Sequence, residues 1–204
     1  MAVRSARTVA QEEKRRLFLD AAIHVFARKG YHACRVRDIA EEAGVAYGLL
    51  YHYFASKEEV LETIFRETWS QMLDAVRGIE STGEPAREQI RKVAAVVLGS
   101  WKANPDLIRV LVREVTRSPQ LQSEIREISQ AFEALRRIVE HGQRTGELSR
   151  DLDPRTASLV IYGALEEVLT GWVMGEPPGS DEEVADAART VSSILCDGLV
   201  GTRI

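Results

Sequence analysis

Apolar residues recur along this chain at intervals of three and four almost throughout, while runs that alternate apolar with polar are scarce. That spacing places side chains on one face of a helix and supplies no half-buried strands for a sheet. Phe18, Ala21, Ala22, Val25 and Phe26 form one such face, closed at Gly30. Val36, Ile39, Ala40 and Ala43 repeat the pattern over a shorter helix stopped at Gly44. Leu50, Tyr53 and Phe54 make the inner face of a third helix, about two turns long. Ser56 caps a long fourth helix, with Glu58 and Glu59 favourably placed in its first turn. The remaining stretches, 85–103, 106–116, 119–144, 154–175 and 181–200, each begin near a proline or an acidic residue. The expectation is an all-α fold of nine helices.

A chain of 204 residues buries enough apolar surface to fold without disulfides or metal. Cys34 and Cys196 lie far apart and read as free thiols of a reducing compartment. No apolar leader opens the sequence, and its longest unbroken apolar stretch, Val93 to Leu98, cannot span a bilayer. A cytoplasmic protein without a membrane partner is expected. Enzyme signatures are missing from the sequence: no GxSxG, HExxH, GxGxxG or phosphate loop occurs, and the four histidines show no metal spacing. No catalytic residue, metal or cofactor is assigned; an all-helical enzyme using Glu166 or Glu167 is the remote alternative.

Charge is divided unevenly. Residues 1–57 hold ten Lys and Arg against six acids, leaving seventeen basic and twenty-five acidic residues for the rest. A basic front on an acidic body points to nucleic acid at the front alone. Within it, Val36 to Lys57 reads as helix, tight turn at Ala43-Gly44-Val45, and second helix, the spacing of a helix-turn-helix. The second helix presents Tyr47, Gly48, Leu49, Tyr51 and His52 outward. Exposed aromatics are wasteful on a solvent face but useful in a major groove, where a hydroxyl meets phosphate and an apolar group a thymine methyl. Arg37 either faces DNA or balances Glu41.

Phe26 to Gly30, Tyr31, Val36 to Ala40, Ala43-Gly44-Val45, Gly48, Leu50 to Phe54 and Ser56-Lys57-Glu58 resemble the N-terminal pattern of the TetR family of bacterial repressors. The resemblance implies a helix-turn-helix domain over residues 1–55 and a ligand and dimer domain over 56–204. It places Tyr51 and Lys57 on phosphates, and Tyr47, Gly48 and His52 in the groove. Arg35, Arg37 and Leu49 complete the expected DNA-binding set. Arg35 and Ala46 stand where the family carries side-chain caps, and Leu49 where a threonine is frequent. The implied partners are double-stranded palindromic operator DNA and a second copy of the chain.

Two apolar stripes serve that dimer in expectation: Ile161, Leu165 and Leu169 on the eighth helix, Val191 and Leu195 on the ninth. The same stripes could instead face their own subunit's core. Trp101, Phe132, Tyr162 and Glu166, with Arg109, Arg113 and Arg117 stepping by four, are the candidate ligand residues. The arginines read equally as a solvated basic face. Residues 112–118 and 166–174 resemble the branch of the family that controls fatty-acid degradation, which implies a long-chain acyl-CoA effector. Such an effector wants an apolar tunnel for its chain and arginines for its phosphates. The competing reading is a multidrug-type or other metabolic regulator whose pocket uses Glu114 and Glu166.

Overall fold

A computed structural model describes residues 6–115 and 126–198, all helices and connecting turns with no strand among them. The helices are α1 (Ala6–Lys29), α2 (Val36–Glu42), a 3₁₀ helix (Tyr47–His52), α3 (Lys57–Glu80), α4 (Ala86–Ala103) and α5 (Pro105–Val115). After them come α6 (Arg126–Thr145), α7 (Pro154–Met174) and α8 (Asp181–Gly198). Nine helical elements are thus present among the described residues. The expected start of the seventh at Pro119, the end of the ninth at Val200, and Arg117 lie outside them.

Two cores organise the chain. The expected α1 face is fully buried, and Ile39, Leu50 and Phe54 close over it. Residues before 56 supply most of this core, and Val60, Leu61, Ile64 and Phe65 from the first half of α3, with Val110 of α5, complete it. Gly44, at φ 66°, turns the chain between α2 and the 3₁₀ helix, in the left-handed region that costs other residues energy. The second core joins α3, α4, α6, α7 and α8 through residues such as Ile90, Leu98, Ile138, Ile161 and Leu165. Gly142 is required there by close approach: a Cβ would lie 2.6 Å from Ala86 Cβ and 2.7 Å from Leu148.

Local chemistry explains the ends. Arg35 offers no acceptor to cap α2, but the Asp38 carboxylate accepts its N–H at 2.8 Å. The Asp38 carboxyl is held below its ordinary value, chiefly by the Lys29 ammonium and then by that N–H. Ala46 supplies no cap, and the following segment closes by tighter i→i+3 bonds, Leu49 N–H to Ala46 and Tyr53 N–H to Leu50, both 2.9 Å. The third helix is therefore 3₁₀ where an α-helix is expected. Ser56 accepts the Glu59 N–H at 3.2 Å, and Asp153 accepts that of Thr156 at 2.9 Å.

Candidate DNA-binding face and ligand cavity

The 3₁₀ helix carries an outward face of Tyr47, Gly48, Tyr51 and His52. The two tyrosines are 52% and 47% exposed, meet edge to face at 5.6 Å, and share a 3.1 Å hydroxyl contact. That contact braces two amphipathic rings on the surface. A Cβ at Gly48 would meet nothing within 4 Å, so the protein itself does not demand a glycine there. Arg35 and Arg37 lie exposed at the start of α2. Arg37 has no ion pair with Glu41 among the described residues; α1 and α2 are joined by Arg28–Glu42 and Lys29–Asp38, each 2.9 Å.

Two expected DNA residues sit differently. Leu49 is half-buried against the N-terminal core, because a 3₁₀ turn rotates it away from its outward neighbours. Lys57 is part-buried and points inward: its ammonium donates to the carbonyls of Tyr31 at 2.8 Å and Cys34 at 2.9 Å. It also lies 4.2 Å from the centroid of the Tyr31 ring. One N–H remains for any phosphate, so Lys57 ties the turn after α1 to α3 before it does anything else. Tyr53 packs on Phe18 with centroids 5.4 Å apart, as its inward position suggests.

The second core encloses a cavity of about 300 Å³ between α3, α4, α5, α6 and α7. Val76, Val97, Ile108, Leu111, Leu135 and Leu165 are typical of its walls. Tyr162 and Glu166, one turn apart on α7, bring hydroxyl and carboxyl to the same space. Burial pushes the Glu166 carboxyl above its ordinary value, and the Tyr162 hydroxyl partly offsets this. Trp69 stacks obliquely on Tyr162 at 5.9 Å and lines the cavity too.

Of the expected ligand residues that are described, only Tyr162 and Glu166 line this space. Trp101 is buried beside Trp172, ring centroids 5.9 Å apart. Phe132 meets Tyr162 edge-on at 4.8 Å from the far side, lining a separate groove with Arg136 and Arg155. Arg109 is held 2.6 Å from Asp106 and lies over Trp101. Arg113 donates to the Ala27 carbonyl of α1 at 3.0 Å. Arg113 thus reaches the N-terminal unit and Arg109 the Trp101 ring of α4, and neither lines the cavity.

The same helix connects the two cores. Leu107 and Leu111 line the cavity and pack against the N-terminal core, while Val110 is buried within that core. Next to Arg113, the buried Glu114 faces His32 of the turn after α1 at 3.9 Å. α5 is therefore in contact with both the cavity and the N-terminal core.

The residues expected at the interface are buried within the single chain. Ile161, Leu165, Leu169 and Leu195 are all less than 9% exposed and belong to their own subunit's core; Val191 is half-buried against it. They are consumed by packing within the chain. Outside, α7 shows Leu159, Val160 and Met174, and α8 shows Ile194, at 50%, 53%, 77% and 67% exposure. α7 is the one helix among the described residues long and apolar enough to cross a membrane by composition, yet only 28% of that stretch is buried. Its outer apolar face is therefore unpartnered in a single chain.

Residues 18–64 match the family model for bacterial regulatory proteins of the tetR family, and residues 65–197 match that for the YsiA-like protein C-terminal region. The fatty acid metabolism regulator protein of Bacillus subtilis is 32% identical over 183 residues, covering 89% of this chain and 93% of that one. The structure of the fatty acid degradation regulator FadR from Bacillus halodurans superposes with a TM-score of 0.81 at 29% identity, covering 91% and 96%. FadR from Bacillus subtilis in complex with stearoyl-CoA superposes with a TM-score of 0.78 at 28% identity, covering 89% and 97%.

Proposed function

The chain belongs to the TetR family of bacterial regulatory proteins, and from that membership we propose that it represses fatty-acid degradation genes until long-chain acyl-CoA releases it from operator DNA. The observation that carries the reading is the cavity, apolar on five helices and sharing α5 with the DNA-binding core. An acyl chain gains about 0.8 kcal/mol for each methylene it buries there. The bulky CoA head stays outside.

The acting species is a homodimer, working in the cytoplasm on a palindromic site. The exposed faces of α7 and α8, with Leu159, Val160, Met174 and Ile194, are the apolar surface that the second copy would cover. One six-residue recognition helix cannot provide specific affinity alone, whereas two held one helical turn of DNA apart can. On each, Tyr47, Gly48 and His52 face base edges and Tyr51 a phosphate, with Arg35 and Arg37 beside them. Effector binding displaces α5; Arg113 and Glu114 carry the shift to α1, and the spacing of the two heads changes.

The test is selection of genomic fragments on the purified protein, followed by titration of the best fragment's complex with palmitoyl-CoA and, separately, CoA. Release by palmitoyl-CoA alone, from fragments that neighbour fatty-acid degradation genes, is expected. Failure of palmitoyl-CoA to release any selected fragment refutes the effector assignment.

A further inference from the structure

The walls of the cavity carry an unbalanced charge. Among the described residues, Glu166 is the one carboxyl lining it, and no Lys, Arg or His does so. Nearby cations are engaged elsewhere: Arg109 with Asp106, Arg113 with the Ala27 carbonyl. The aromatic faces of Trp69 and Tyr162, 5.9 Å apart by centroid, stand beside the carboxyl. Such faces attract cations and leave anions unsatisfied.

A carboxylate drawn in behind an apolar chain would therefore lose its water and meet no counter-charge. It would also share the space with a second carboxyl, and two such groups cannot both stay ionised at low cost. A neutral end escapes both penalties. An ammonium end gains a partner.

We propose that Glu166 acts as the charge filter of this cavity, admitting chains whose buried end is neutral or cationic and rejecting those that end in a carboxylate. The inference rests on the cavity being the effector site. Within that reading it makes the acyl thioester the effector and excludes the free fatty acid of equal length, because the thioester carbon carries no charge. Burial, and then the neighbouring Glu167 carboxylate, raise the Glu166 carboxyl, while the Tyr162 hydroxyl lowers it.

The experiment uses three ligands of one chain length, so that apolar burial is constant: dodecanoate, dodecan-1-ol and dodecylamine. Each is titrated by calorimetry, below its aggregation threshold, into the DNA-free full-length protein and its Glu166→Gln and Glu166→Leu variants. Wild type should bind the alcohol and the ammonium at least about tenfold more tightly than dodecanoate, the equivalent of one pKa unit. Both variants should narrow the gap between alcohol and dodecanoate, and the ammonium should lose any advantage over the alcohol. Equal binding of all three by wild type overturns the filter, as does no binding of any, or a ratio that neither variant changes. The wild-type comparison stands even if a variant fails to fold. Operator release by palmitoyl-CoA is scored separately: release with no charge discrimination refutes the filter alone, and discrimination without release refutes the effector assignment alone.

Discussion

Changing Ile194 to Asp should take the dimer apart without unfolding the chain, and the same change one residue later should do the reverse. Ile194 is 67% exposed on α8, whereas Leu195 is 7% exposed and packed in the second core. Fully burying an aliphatic side chain of this size contributes about 1.5–3 kcal/mol. Two thirds of that, about 1–2 kcal/mol, is what Ile194 has left to gain from a partner. A two-fold interface uses the residue twice, so about 2–4 kcal/mol of association depends on it. Ile194→Asp should then raise the dimer dissociation constant at least about thirtyfold, before any penalty for the new charge. Leu195→Asp instead puts an unpaired charge inside the protomer, a change that costs several kcal/mol of folding stability. Sedimentation velocity over a concentration series, with far-ultraviolet circular dichroism, separates the two. An Ile194→Asp protein that remains dimeric at wild-type concentrations refutes the assignment of this face, as does a Leu195→Asp protein that is fully folded and merely monomeric.

Three further changes probe the DNA side and its link to the cavity. Arg113→Ala removes the α5 bond to Ala27, a part-buried hydrogen bond worth about 1 kcal/mol, and should cut the effector-induced change in operator affinity about fivefold while acyl-CoA binding in the absence of DNA stays the same; fluorescence anisotropy with and without palmitoyl-CoA reads the ratio. Gly48→Val meets open space in the protein, so its melting temperature should stay near wild type while operator binding falls at least about tenfold, and a variant that binds normally removes Gly48 from the interface. Asp38 and Glu58 have lowered carboxyl values in the folded chain, so the unfolded state binds protons more readily and stability rises with pH through that range. The stability they add is present above about pH 4 and lost as pH falls through their folded values, and Asp38→Asn should flatten that part of a melting-temperature profile.

Helices and the helix-turn-helix are legible in the sequence because both follow from short-range rules: apolar spacing, Gly44 at its turn, Ser56 at its cap. Choosing between faces is not short-range. α7 has apolar residues on two sides, Ile161, Leu165 and Leu169 on one and Leu159, Val160 and Met174 on the other, and periodicity alone does not say which meets the subunit's own core. The arginines of α5 pose the same problem, since a spacing of four reports a shared side but not what that side touches. Cavity walls such as Leu111 and Leu135 carry no signal apart from core, because apolar side chains look alike whether they meet one another or a ligand. Glu166 and Tyr162 were detectable for the opposite reason: polar groups on an apolar stretch need an explanation. Lys57 was legible as a motif residue, yet its bonds to Tyr31 and Cys34 depend on how the turn after α1 folds back onto α3.

The central claim is that an acyl chain fills the cavity and, through α5, loosens the hold on DNA. Octanoyl-, lauroyl- and palmitoyl-CoA titrated into one operator complex test it most directly. The effector concentration for half-release should fall steeply with each added pair of methylenes, by at most about 1.6 kcal/mol a pair, until the cavity is full. Equal half-release concentrations for all three, or no release by any, would contradict it.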